Sequence, residues 1–262
     1  MGEVNAVLKP HTPKRIYLPL CVLVLFLALW ALLARLKTFP ESAFPTPAQV
    51  LQGFLEEQRT GRLFDDLIAS LFRVGAGFIL AVALGVPLGL LLGLKIDARY
   101  ALLPSVNFFR SLSPLAWIPF AILWFGIGDV PAIFLIFMAA FFPIVLTTLA
   151  AVANIPTVTF RVARDYDLTG FRLLSRVIVP AILPQVLTAL RVTAGLAWVV
   201  VVAAEMIAGR DGLGFLIWDA RNALRPDLVV VGMIFIGTFG VLIDRLLVQL
   251  TQLPGVRWGY DR

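Results

Sequence analysis

Runs of about twenty consecutive apolar residues recur along this chain, and they restrict what it can fold into more than any other feature. A helix needs ~20 mostly apolar residues to cross the ~30 Å hydrocarbon core of a bilayer. Inside that core only helices or closed barrels satisfy every backbone N–H and C=O. Six runs of this kind are set off by Pro, Gly and charged residues, at 16–36, 71–94, 101–125, 130–153, 184–208 and 228–250. Soluble domains are about half apolar and a quarter charged, whereas this chain is 60% hydrophobic and 15% charged. The expected fold is therefore all-α, a polytopic membrane protein with about six transmembrane helices.

The first run exceeds a signal-peptide core in length and lacks a small-residue cleavage site, so it is expected to stay as a permanent span. The expected organisation is an N-terminal tail 1–15, one transmembrane domain 16–250 and a C-terminal tail 251–262. Placing both termini in the cytoplasm puts twelve basic residues inside and seven outside, with Arg73, Arg110 and Arg191 at or within spans. That bias follows the positive-inside rule and accounts for the net charge of +6 without a nucleic-acid partner. The single Cys21 and single His11 exclude an internal disulfide, a Cys/His metal cluster and a His-based triad.

Several local signals refine this outline. Thr46 followed by Pro47 reads as an N-cap with proline at the first helical position. It opens a short interfacial helix with Val50, Leu51, Phe54 and Leu55 along one apolar stripe. The second run carries Gly75, Gly77, Gly85 and Gly89, small residues that let helix backbones approach closely, with Pro87 among them. In the third, Pro114 and Pro119 bracket Trp117, a way to interrupt helical bonding and present a bulky side chain as a gate. Gly126–Pro131 is read as a tight turn between antiparallel helices. Glu205 is read as the one acidic residue within a span. It is expected either at headgroup level or paired with an arginine or the N–H groups of the 209–214 turn.

The longest polar interruption, 155–179, sets Arg161, Arg164, Arg172 and Arg176 against Asp165 and Asp167. Apolar residues at helical spacing, Phe160 with Ala163 and then Leu173 with Val177, predict two short helices joined by a turn near 167–170. Periodicity leaves open whether this loop docks a partner or only connects spans.

The segment Ala163-Arg164-Asp165-Tyr166-Asp167-Leu168-Thr169-Gly170, continuing to Pro180 and Pro184, resembles the EAA loop of binding-protein-dependent ABC permeases. Pro45-Thr46-Pro47, Ser70–Val74 with Gly77-Phe78, and Pro114–Pro119 with Trp124–Gly128 extend the resemblance to the nitrate, sulfonate, taurine and bicarbonate branch. So do Ala204–Ile207 and Gly212–Phe215. The resemblance implies a type I importer permease of the bacterial inner membrane, built as two copies around one pathway. It also implies two separate ATP-binding subunits and a soluble extracytoplasmic binding protein that delivers a small anionic solute. Ala163, Arg164, Asp165, Asp167 and Gly170 would then form the ATPase-docking loop. Asp167 stands where that family usually has glycine, a position an Asp tolerates in left-handed geometry better than most residues.

None of Lys9, Lys14, Lys37 and Lys95 follows a glycine, so the chain lacks a phosphate-binding loop. ATP and Mg belong to the partner ATPase, and the chain itself is expected to be non-catalytic. Arg110, Trp117, Arg191 and Glu205 are the candidate pathway or gate residues. Two other classes share single features with this sequence. An ion-coupled carrier would concentrate ionisable groups near the midplane. An intramembrane aspartyl protease is hinted at by Gly126-Ile127-Gly128-Asp129 and Tyr166-Asp167, but topology puts those two acids on opposite sides of a span.

Overall fold

The computed structural model describes residues 14–36, 40 and 43–251. Most of the N-terminal tail, residues 37–39, 41 and 42, and residues 252–262 lie outside the described residues. Among those described, the secondary structure is helical throughout. Five helices are long and apolar enough to cross a membrane, and a sharply bent pair, Ile96–Ser111 with Pro114–Phe125, passes the same test only when taken together.

Helix α1 (Lys14–Arg35) buries none of its apolar window within the chain. It is tethered where Trp30 Nε1 donates to the Pro45 carbonyl at 3.0 Å. Such an outward-facing apolar helix is stable only with lipid or a partner around it. Helix α2 (Pro47–Thr60) begins as the sequence predicts. Thr46 accepts from the Gln49 backbone N–H while the Gln49 side chain reaches back to the Thr46 N–H, a reciprocal capping box. Its apolar stripe is divided, however. Val50 and Gly53 turn inward and Phe54 packs on Phe235, whereas Leu51 and Leu55 are exposed. Arg225 ties this helix to the chain's last turn through Glu56 and Asp227. The hydrogen bonds that Arg225 donates to Asp227 and Glu56 hold its pKa above its usual value.

Helix α3 (Arg62–Leu94) runs nine residues further toward the N-terminus than the apolar run at 71–94. It lies against α6 (Asp129–Ala153) along nearly its whole length. Gly77, Ala81, Gly85, Gly89 and Gly93 recur every fourth residue and face Ile136, Ala140, Ile144, Thr148 and Val152. At Gly89 a Cβ would lie 2.6 Å from Thr148 Cβ and 2.7 Å from the Val145 carbonyl. The glycine is therefore required by the backbone approach. Gly75 faces open space and takes no part in this seam.

The third run is two helices rather than one. Helix α4 (Ile96–Ser111) and the segment Pro114–Phe125, a 3-10 turn followed by α5 (Ile118–Phe125), meet at 87°. The cause is local, because Leu112 and Ser113 are extended before a proline that has no N–H to continue the ladder. Arg99, in the first turn of α4, donates to the Leu92 and Gly93 carbonyls at 3.0 Å. It thereby satisfies the C-terminal end of α3.

Beyond α6, helix α7 (Thr157–Asp165) lies in the 155–179 loop. A turn leads to α8 (Gly170–Leu173), which passes through one π turn at Leu174–Ile178 into α9 (Val179–Ala208). The unit 170–208 is thus one continuous helical element of 39 residues. Helix α10 (Leu213–Asn222) and helix α11 (Pro226–Thr251) complete the chain. The bundle has a loop end, where α7 and α8 lie, and an opposite end, where α2 and α10 lie. The main core joins α2, α3, α5, α6, α9, α10 and α11 around Leu63, Leu135, Ile136, Val201 and Leu216.

Candidate functional site

The 155–179 loop is built on an amphipathic α7. Ala163 is 3% exposed, and Phe160 packs beside Ala151, Val152, Ile155, Ile178 and Ile182. Leu168 N donates to the Ala163 carbonyl and Asp167 N to the Arg164 carbonyl, both at 2.9 Å. Asp167 has φ 53°, so the helix ends in a Schellman motif with Asp167 in the left-handed position that glycine usually fills. Gly170 follows with φ 53°, and the expected turn lies between the two. Arg164, Asp165, Asp167 and Gly170 are exposed, as are Tyr166 and Phe171 at 77% and 79%. Ala163 faces inward instead, so it shapes the loop from beneath and presents no surface to a partner. None of Arg161, Arg164, Arg172, Arg176, Asp165 and Asp167 forms an ion pair among the described residues.

At the opposite end, charges from four parts of the chain converge on buried Arg73 and Glu205, with Asp129 and Asp211 more than half exposed. Arg73 is 1% exposed on α3, and Glu205 is fully buried near the end of α9. Arg73 Nη1 donates to Glu205 Oε1 at 2.8 Å and to the Asp211 carbonyl at 2.8 Å, and Nε donates to Asp129 Oδ1 at 2.7 Å. Its Nη2 pairs with the Asp211 carboxylate. Ser70 Oγ lies 2.8 and 2.9 Å from the two Glu205 oxygens.

The same side chains cap helix α10. Gly212 N donates to Asp66 Oδ1 at 2.7 Å, Leu213 N to Ser70 Oγ at 2.9 Å, and Gly214 N to Glu205 Oε2 at 2.9 Å. A helix start leaves such N–H groups without intrahelical partners and favours negative charge. Here acceptors from α3 and α9 meet both needs. Gly212, at φ 103°, lies so close to the Glu205 carboxylate that a Cβ would overlap it. Gly128 N also donates to the Ala208 carbonyl at 3.1 Å, which joins the α5–α6 turn to the same corner.

Glu205 is fully buried and has both the arginine and the backbone N–H partner that sequence reasoning offered as alternatives. Ser70, Asp66, Asp129 and Asp211 escaped sequence reasoning as a group, and Arg73 was noticed only as a charge in a span. Their one signal, a polar face at positions 66, 70 and 73 of α3, lies across the edge of the apolar window. Asp129 and Asp167 are separated by the length of α6, ~36 Å at 1.5 Å per residue, so no aspartyl dyad forms. No cluster of three or more metal-ligating side chains occurs among the described residues.

The remaining candidates lie elsewhere. Arg110 is exposed in the last turn of α4 and has no ion pair among the described residues. Trp117 is half-buried in an aromatic cluster with Phe109, Phe120, Trp124 and Phe134, at centroid distances of 6.2 to 6.4 Å. Arg191 makes a two-bond pair with Asp244 on α11, at 2.6 and 2.8 Å. Glu205 is thus not the one acid within a span. Asp244 is a second, overlooked inside an otherwise apolar run.

The chain is a helical bundle with several helices long and apolar enough to cross a membrane, an exposed polar loop at one end and a charge cluster around buried Arg73 and Glu205 at the other. The chain belongs to the binding-protein-dependent transport system inner membrane component family, whose model matches residues 85–253. It is 34% identical over 240 residues to the taurine transport system permease protein of Escherichia coli, covering 88% of this chain and 86% of that protein. It is 33% identical over 232 residues to a putative aliphatic sulfonates transport permease protein of Bacillus subtilis, covering 88% and 84%. A bicarbonate transport system permease protein of Synechococcus elongatus is 35% identical over 248 residues, covering 90% and 88%. Among solved structures, the MetNI methionine ABC transporter in an inward-facing conformation aligns with a TM-score of 0.61. That match has 20% identity and covers 74% of this chain and 99% of that one, so the fold is that of its permease. The chain is a non-catalytic, multi-pass permease subunit of an ABC importer.

Proposed function

We propose that two copies of this chain enclose one pathway for a small solute bearing an oxyanion group, driven by two ATPase subunits docked on the 155–179 loops. The observation that carries this reading is the continuous helical unit 170–208. One of its ends follows the exposed loop turn, and the other holds Glu205 in the Arg73 cluster. A displacement applied to the loop by a closing ATPase dimer would reach the cluster through a single element, as rigid-body transmission requires. The exposed, unpaired charges around 161–176 and the bare rings of Tyr166 and Phe171 supply the docking contacts.

On this reading the loop end and both termini are cytoplasmic, and a soluble binding protein meets the end formed by α2 and α10. Relatives named for taurine, aliphatic sulfonates and bicarbonate support an oxyanion-bearing solute. Arg110, lacking an acid partner beside the α4–α5 bend, is the cation we assign to it, and Trp117 at that bend is the candidate gate. The test is Phe171→Asp in membrane vesicles that hold the assembled transporter. ATP-driven uptake should fall at least tenfold with the chain still inserted at the normal level. Wild-type uptake by this variant would show that the loop is not the docking surface.

A further inference from the structure

Arg191 and Asp244 sit at mid-height in the bundle, on its outside. Leu190 packs with Ala81, Ala140 and Ile144, half-way along α3 and α6. Leu247, three residues from Asp244, lines the same apolar hollow as Leu187 and Leu190. Arg191 lies ~26 Å before the end of α9 and Asp244 ~27 Å after the start of α11, at 1.5 Å per residue. Both belong to helices that are long and apolar enough to cross a membrane, with Arg245, also exposed, directly after Asp244. Yet the two side chains are 43% and 48% exposed, and their neighbours Val192, Val241, Leu242 and Leu246 are exposed too.

Lipid does not suit such a face. Charged groups at mid-depth in a membrane are found facing a bundle interior or a water-filled cavity. A dry protein interface fits no better. Asp244 engages Nε and Nη2 of Arg191, and the remaining guanidinium donors need acceptors if water is excluded.

We infer that the face of α9 and α11 around Arg191 and Asp244 borders the aqueous pathway, with Arg191 donating to the solute's oxyanion while Asp244 holds the guanidinium oriented. The inference rests on the permease reading above, and it adds a second cation at a different height from Arg110. A guanidinium suits an oxyanion because its planar fork donates two parallel bonds. The Asp244 counter-charge keeps the site neutral between solutes, so it loads without trapping an anion.

The test uses the assembled transporter in vesicles, with Cys21→Ser removing the single native thiol. Gly195→Cys places a thiol one turn from Arg191, at a position where a Cβ meets open space. Val22→Cys, on the outward-facing α1, serves as the lipid reference. A charged, membrane-impermeant methanethiosulfonate should modify position 195 at least tenfold faster than position 22, at a rate that changes when ATP is bound. Reaction at 195 only with an apolar maleimide would show a lipid face, and reaction with neither reagent would show a dry interface. Either result overturns the inference even where ATP-driven uptake stands. Uptake that fails in the unsubstituted transporter would instead count against the permease reading.

A second measurement separates solute contact from bracing. The exchanged pair, Arg191→Asp with Asp244→Arg, restores the ion pair but moves the cation to another helix. It should assemble normally, with uptake reduced at least tenfold. Wild-type uptake by the exchanged pair would reduce Arg191 to a structural brace.

Discussion

Arg73 and Glu205 show how much a single buried pair can organise. Arg73 contacts the carboxylates of Asp129, Glu205 and Asp211 together, and no neutral side chain reproduces that fork. Replacing it by methionine leaves Glu205 buried without its cation. Breaking a buried pair from one side costs about 3–5 kcal/mol, so Arg73→Met is expected to lower the unfolding midpoint in detergent sharply. Arg73→Lys should recover part of the loss. Glu205→Gln keeps acceptors for Gly214 N and Ser70, whereas Glu205→Ala removes them. The glutamine variant should therefore be the milder in both assembly and uptake. Equal and negligible effects of the two changes would remove the cluster from the account. Sequence reasoning reached Glu205 because an acid flanked by Ala and Met in an apolar run stands out. It missed Asp244, which follows Val241, Leu242 and Ile243 and is paired off in sequence by Arg245, and it missed Asp129 and Asp211 as partners of Arg73 because they come from two other parts of the chain.

At the scale of elements, hydropathy located the five long spans and the bent pair, and turn chemistry located the Thr46 cap and the 167–170 turn. What hydropathy could not show was that α3 continues through Asp65 and Asp66 to Arg62, because a helix end that buries polar side chains in an ion cluster reads as a loop. Nor did it show α10, whose N-terminus is stabilised by side chains of other helices and not by a cap of its own. The bend at Leu112–Ser113 was half legible, since prolines mark a break but not its 87° angle. Two predictions belong here. Gly89→Val should separate α3 from α6 and reduce the yield of folded protein, because Thr148 and the Val145 carbonyl occupy the space of the added methyl groups. A wild-type yield and midpoint would contradict the seam. Asp167→Gly should do the opposite in the loop. A non-glycine residue in the left-handed region costs ~1 kcal/mol, so the substitution should slow hydrogen exchange at Leu168 N without reducing uptake. Faster exchange there would mean that the Asp167 side chain, and not the backbone geometry, holds the turn.

For the whole molecule, the two functional ends are joined by one helical unit and held by one small-residue seam. On the proposed function, that arrangement would let a partner docked on the 155–179 loop act at a distance while the core of α3 and α6 stays packed. Nucleotide, on the same proposed function, binds a separate subunit, and transport depends on recruiting it. The most direct measurement is the recovery of an ATP-hydrolysing subunit with the affinity-tagged chain, purified from its membrane in mild detergent. The wild type is expected to retain that subunit in equimolar amount, and the Tyr166→Asp, Phe171→Asp double variant to lose it while still inserting as a folded bundle. Equal recovery with both chains, or no ATPase with the wild type, would contradict the claim that energy enters through the 155–179 loop.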